Sequence, residues 1–274
     1  MAVALEPLQQ RAGGASPALV RLLHVNKRYS NGTVALRDLS LSVEQGEFVS
    51  LLGPSGCGKS TALRMLAGLL SVSSGDIVWP GQVGAVAKGG RDISFVFQEP
   101  TLMPWARVFD NVYLPLRIAG TSRTRATADV NEALALVGLS KFAKVYPREL
   151  SGGMKMRVSI ARAMVTRPRL LLMDEPFAAL DEMTRAKLNN DVLRLWKERD
   201  LTIVFVTHNV WEAVYLSSRV VVMAARPGRV VDDIRIAAPY PRGDAFRTTP
   251  AYADHCVHVS RSLRETLAPA DVDH

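Results

Sequence analysis

Residues Gly53-Pro54-Ser55-Gly56-Cys57-Gly58-Lys59-Ser60-Thr61 read GPSGCGKST and fit the spacing G-x-x-x-x-G-K-[S/T]. That spacing has a mechanical reason. Glycines let the backbone wrap closely around an anion, so that successive N–H groups point at it. A helix starting at the end of the loop adds its positive N-terminus. Lys59 then reaches the β- and γ-phosphates of a nucleotide, and the Ser60 hydroxyl is placed to bind Mg2+. Cys57 stands inside the loop, where the helix dipole and Lys59 predict a lowered thiol pKa and a thiolate open to alkylation.

Three further groups suit the same chemistry. Asp174 ends the apolar run LLLM, and Glu175 follows at once. A carboxylate at the end of a buried strand beside a phosphate loop is placed to hold Mg2+, generally through water. The next carboxylate can polarise an attacking water as general base. His208 follows the run TIVFVT. At the end of a core strand it can hydrogen-bond a γ-phosphate and keep the water in line. The two cysteines, Cys57 and Cys256, have no metal-ligand spacing and form no disulfide framework, which suits a reducing cytosol.

These residues need a scaffold that gathers strand ends, and the apolar pattern supplies one. Residues 47–52 (EFVSLL) read as a strand entering the loop, and residues 60–70 (STALRMLAGLL) have helical spacing. Further strands are expected at 19–24, 39–43, 93–97, 170–173, 202–206 and 219–224, and helices at 109–118, 126–137, 153–165, 182–199 and 211–216. Continuous apolar strands alternating with helices imply an α/β fold with a parallel sheet covered on both faces. A helical stretch at about 99–165 interrupts the alternation and reads as an inserted subdomain. Residues 1–18 read as a flexible tail without a signal-peptide pattern, 19–237 as the main domain, and 238–274 as a short extension, Pro-rich and then weakly helical. No apolar run approaches the roughly 18 residues that cross a bilayer.

The charge is uneven. The 274 residues carry a net +8, and residues 101–170 hold twelve Lys and Arg against four Asp and Glu, so the remainder sums to zero. Such a region is either a solvated helical surface or a patch for nucleic acid, anionic lipid or an acidic partner.

The phosphate loop alone serves many functions. The segment LSGGMKMRVSIARAM, starting at Leu150, lies about 90 residues downstream and just before Asp174-Glu175. It closely resembles the signature motif of ABC ATPases. With Gln98 after ISFVF, Leu180-Asp181 and His208, the ordered set resembles that family over roughly residues 19–237. The resemblance implies a P-loop NTPase (RecA-like) parallel-sheet core with an antiparallel β subdomain and the inserted helical subdomain. It implies ATP hydrolysis with Mg2+ and a head-to-tail dimer of two copies. In that dimer the helix capped by Ser151 and opened by Gly152 and Gly153 faces the γ-phosphate held by the other copy. Gln98 would sense Mg2+ and the water, Asp181 would link the two sites, and Tyr29 would stack on adenine. Two positions depart from the pattern: Met154 stands where the signature usually ends in Gln, and Asn209 where Asp usually follows the histidine.

No long coiled coil, second cassette or fused membrane span is legible, which leaves a cassette that docks on separate transmembrane permease subunits at the cytoplasmic face of the membrane. Residues 98–116 (QEPTLMPWARVFDNVYLPL), 175–181 (EPFAALD) and 225–231 (ARPGRVV) resemble importers of nitrate, sulfonates, taurine and related small anions, which work with a periplasmic or extracellular substrate-binding protein. Within 98–116, Val108, Val112 and Leu116 have helical spacing and are expected inside. Met103 and Trp105 fall on a Pro-broken loop suited to a partner. The alternative reading is a nucleic-acid-associated ABC ATPase, drawn from the basic 101–170 region.

Overall fold

The computed structural model describes residues 17–80 and 92–266. In chain order the elements are β1 (Ala18–Arg28), β2 (Val34–Glu44), β3 (Phe48–Leu52), α1 (Lys59–Leu66), β4 (Ser74–Val78), β5 (Ile93–Val96), α2 (Val108–Ile118), α3 (Arg123–Leu136), α4 (Gly152–Met164), β6 (Leu170–Asp174), α5 (Glu182–Glu198), β7 (Thr202–Thr207), α6 (Val210–Leu216), β8 (Arg219–Ala224), β9 (Arg229–Arg235) and α7 (Pro250–Glu265).

Two sheets form. The larger has the order β5-β6-β7-β3-β8-β9, with its first five strands parallel and β9 antiparallel at the edge. The smaller is antiparallel, in the order β2-β1-β4. The apolar runs explain the layering. Along β3, Phe48 and Leu52 pack on one side, while Val49 and Leu51 pack on the other. The same alternation splits Leu171 and Met173 from Leu170 and Leu172 in β6. One side is covered by helices, and the other by α1 and the antiparallel sheet. The fold is thus the expected P-loop NTPase arrangement, with an antiparallel β subdomain and three helices inserted between β5 and β6.

Differences from the sequence reading have local causes. The short edge strand β4 alternates exposed and half-buried residues, and β9 does the same except at the buried Ile234, so neither makes an apolar run. β1 opens at Ala18, within the stretch read as tail; residues 1–16 and 267–274 lie outside the described residues. The weak helicity expected after residue 238 is corrected. α7 is a 16-residue helix whose Tyr252, Cys256 and Val259 are buried. Thr249 caps it by accepting from Tyr252 N–H at 3.2 Å. Before it, the buried Arg242 guanidinium donates to the carbonyls of Val214, Tyr215 and Ser217 at 2.9–3.0 Å, which fastens the extension to the end of α6.

Candidate active site at the carboxyl edge of the parallel sheet

Because β5, β6, β7 and β3 are parallel neighbours, whatever follows them emerges along one edge. Gln98, Asp174 with Glu175, His208 and the loop from Gly53 are those residues, in that spatial order. An open cleft of about 580 Å³ lies there, lined by Tyr29, Ser55, Gly56, Gly58, Lys59, Ser60, Thr61, Gln98 and Glu175. It is also lined by Thr33, Val34, Ala35 and Arg226, which the sequence reading did not single out.

The loop's shape follows from its glycines. Gly58 takes φ +87 at the N-cap of α1, where a side chain would be strained. A Cβ on Gly53 would lie 2.5 Å from the Met223 carbonyl oxygen. Gly53 and Pro54 lie behind the cleft wall, and their carbonyls accept from Lys59 Nζ at 2.7 and 3.0 Å. The Lys59 ammonium is buried and sits 3.9 Å from Glu175 Oε1. Ser60 Oγ donates to Asp174 Oδ1 at 2.7 Å. Burial raises the Asp174 carboxyl pKa, and the Ser60 hydrogen bond opposes that.

Glu175 stands at φ +44, off the end of β6, with its N–H bonded to the Val206 carbonyl at 3.1 Å. A non-glycine residue held in the left-handed region costs of order 1–3 kcal/mol and is a common mark of functional sites. The strain aims the carboxylate between two partners: Oε1 toward Lys59, and Oε2 at 3.0 Å from His208 Nδ1. Asn209, the departure beside the histidine, serves as N-cap of α6, its side-chain oxygen accepting from Glu212 N–H at 3.1 Å. Tyr29 sits at the far end of the cleft with its hydroxyl 3.2 Å from Thr61 Oγ1 and its ring exposed enough to stack on a base.

The Cys57 expectation is overturned. Its side chain is fully buried, and desolvation pushes the thiol pKa up despite Lys59 Nζ at 3.8 Å. Cys57 therefore meets the cleft through backbone alone. Just behind it, the turn after β8 presses on the loop: a Cβ on Gly228 would lie 2.1 Å from the Cys57 carbonyl oxygen. Gly228 also joins the two sheets, since its N–H bonds Ala35 O and its carbonyl accepts Arg37 N–H, both at 3.0 Å.

Gly53, Pro54, Cys57, Asp174 and His208 adjoin this cleft through their bonds to its lining residues without lining it themselves, whereas Ser151, Gly152, Gly153 and Asp181 stand apart from it. These last four form a second cluster. Ser151 Oγ caps α4 by accepting from Met154 N–H at 3.3 Å, and Asp181 Oδ1 caps α5 by accepting from Thr184 N–H at 2.9 Å. That N–H holds the Asp181 carboxyl pKa below its usual range. The two helix starts pack together, because a Cβ on Gly153 would collide with Thr184 Cγ2 at 2.4 Å. Met154 is half-buried against the helix-side core, which explains an apolar residue there.

Comparison with known proteins agrees with this geometry. The family model for the ABC transporter domain matches residues 36–178. The taurine import ATP-binding protein TauB of Rhizobium johnstonii is 43% identical over 244 residues, 87% of this chain and 92% of that protein. The chain belongs to the ABC transporter ATP-binding family. Other relatives include an aliphatic sulfonates import ATP-binding protein, SsuB, of Bacillus cereus, 42% identical over 81% of this chain and 88% of its own. Among solved structures of ABC cassettes, the dimer of MJ0796 bound to ADP and Pi has a TM-score of 0.70 and 33% identity, covering 80% of this chain and all of that one. CbiO1 of Clostridium perfringens, part of the cbiONQ transporter complex, has a TM-score of 0.74 and 26% identity, covering 91% and 99%. The protein is therefore an ABC ATPase that binds and hydrolyses ATP. No helix among the described residues is long and apolar enough to cross a membrane. The basic region is partly committed to internal partners: Arg157 pairs with Asp191, Arg167 with Asp129 and Glu132, and Arg162 holds backbone carbonyls.

Proposed function

We propose that this ABC ATPase energises an importer of a sulfonate, taurine or a related small anion, as one of two cassettes docked on separate permease subunits with an external binding protein delivering the substrate. The cassette itself spans about residues 19–237. The observation that carries the catalytic part is Glu175, set by a strained backbone between Lys59 and His208 at the mouth of the phosphate loop. Kinship with TauB and SsuB supports the substrate class.

In this reading Tyr29 stacks on adenine and the N–H groups from Ser55 to Thr61 cradle the phosphates. Lys59 exchanges the Gly53 and Pro54 carbonyls for phosphate oxygens. The donor set fits Mg2+: Ser60 and Asp174 present hard oxygens 2.7 Å apart, with Gln98 on the same cleft wall. Bound there, the ion would neutralise charge on the β- and γ-phosphates. Glu175 accepts a proton as water attacks the γ-phosphorus, the bond to the ADP oxygen breaks, and phosphate leaves. His208 holds the γ-phosphate in line. The capped helix from Ser151, with Gly152 and Gly153, closes the same nucleotide from the second copy, and Asp181 joins the two sites. Trp105, 77% exposed, anchors the permease.

Reconstitution tests this. The chain is assembled with its permease in vesicles, and uptake of labelled taurine, an alkanesulfonate and nitrate is measured. ATP-driven uptake of one of them, lost in Glu175→Gln, is expected. Hydrolysis with outward transport, or none of the three moved, would overturn the importer assignment.

A further inference from the structure

One buried carboxylate has no part in the mechanism above. Glu212, in the first turn of α6, is 6% exposed. Its Oε2 accepts from Thr207 Oγ1 at 2.6 Å. The Thr207 hydroxyl in turn accepts from Asn209 N–H at 3.0 Å, and the Asn209 side chain accepts from Glu212 N–H at 3.1 Å. These three bonds close a ring of residues around His208. The histidine therefore takes its place from a circuit that Glu212 completes.

The other carboxylate oxygen points to a second role. Among the described residues, Glu212 Oε1, Arg185 Nε and Asn189 Oδ1 are buried without a hydrogen-bond partner. Orphaned polar atoms of this kind call for a water. Glu212 and Arg185 line a cavity of about 20 Å³ together with Glu175 and His208. That volume admits one water, and the wall offers it enough polar partners. On its far side Arg185 is tied to the turn before α5: Nη2 donates to the Leu180 carbonyl and its N–H to the Asp181 carbonyl, both at 2.9 Å.

We propose that Glu212 is a positioning residue for His208, and that one buried water joins it to Arg185, so that a single polar network holds the His208 turn and the Leu180–Asp181 turn. This deepens the ATPase reading and rests on it. A histidine displaced by a fraction of an ångström no longer holds the γ-phosphate in line, although the nucleotide still binds through the loop.

The experiment measures ATP turnover and nucleotide affinity of the full chain for the parent, Glu212→Ala, Glu212→Gln, His208→Ala and the His208→Ala/Glu212→Ala pair. Glu212→Ala is expected to lower kcat about tenfold, with ATP affinity within about twofold of the parent. The double variant should be no slower than His208→Ala alone, because Glu212 acts only through the histidine. Glu212→Gln keeps an acceptor for Thr207 and a group for the water, so it should stay within about threefold of the parent. Multiplying effects in the double variant, Glu212→Gln as poor as Glu212→Ala, or Glu212→Ala at parental rate would each overturn the proposal. If Glu212→Ala does not fold, Thr207→Val takes its place: slowed turnover at normal affinity supports the circuit, and parental turnover overturns it. A parent chain without ATP turnover would instead remove the ATPase reading.

Discussion

The guanidinium of Arg162 donates to both the carbonyl and the hydroxyl of Thr101, at 2.8 and 3.0 Å. Arg162 belongs to α4, the helix capped by Ser151, and Thr101 lies three residues beyond Gln98. A third bond reaches the Pro100 carbonyl at 2.9 Å. The helix proposed to face a second copy and the segment that leaves the cleft are thus one mechanical piece. Arg162→Met should cost about 2 kcal/mol of stability, the range for hydrogen bonds from a charged donor. Urea unfolding measures it, and a change under about 0.5 kcal/mol would show that the contact is dispensable.

Glu175→Gln keeps the shape of the side chain and removes the base. Turnover should fall by about 10²–10⁴ while ATP still binds. Size-exclusion chromatography with Mg-ATP should then show a persistent dimer for the variant and mainly monomer for the parent. Near-parental hydrolysis would take the base role away from Glu175.

Neither cysteine should react in the folded protein. Cys57 is enclosed and its thiol pKa is raised; burial pushes the Cys256 thiol up to about 11. A raised pKa leaves less thiolate at neutral pH, so maleimide labelling should be slow until denaturant is added. Mass spectrometry should find no adduct on the native chain and two on the unfolded one. Rapid native labelling of Cys57 would contradict the enclosed loop.

Trp105→Ala should leave the melting temperature of the isolated chain nearly unchanged, because the ring is mostly in solvent. The loop around it is fixed by Asn111, whose side chain bonds the backbone of Met103, Ala106 and Arg107 at 2.7–3.2 Å. Permease assembly should weaken by about 2 kcal/mol, as for the loss of one anchor. A large fall in melting temperature with assembly intact would place the docking surface elsewhere.

Much of this was legible in the sequence because the chemistry sits where patterns change. Asp174 and His208 each stand at the end of an apolar strand, Lys59 opens the helix after the glycine loop that follows another, and Val108 and Val112 kept the inward spacing that their positions implied. What escaped depended on distant chain segments. Cys57 was misjudged because only its neighbour Lys59 was visible, whereas the β8 side that helps enclose it lies some 170 residues away. Arg226 reaches the cleft only because Gly228 docks on Ala35. For α7 the signal was present in the i, i+4, i+7 spacing of Tyr252, Cys256 and Val259, but Asp254, His255 and His258 between them masked it.

The seam at Gly228 makes the cleft a two-jawed gauge. Tyr29 rides on the antiparallel sheet and the phosphate loop on the parallel one, and bare backbone at Gly228 sets the spacing between them. On the proposed binding mode, a base without phosphates, or phosphates without a base, would press on one jaw only. A whole nucleotide would grip both, its second grip made at the high local concentration that the first creates. Any side chain at position 228 would thicken the spacer. It would change the length of ligand that fits without removing any group that touches it.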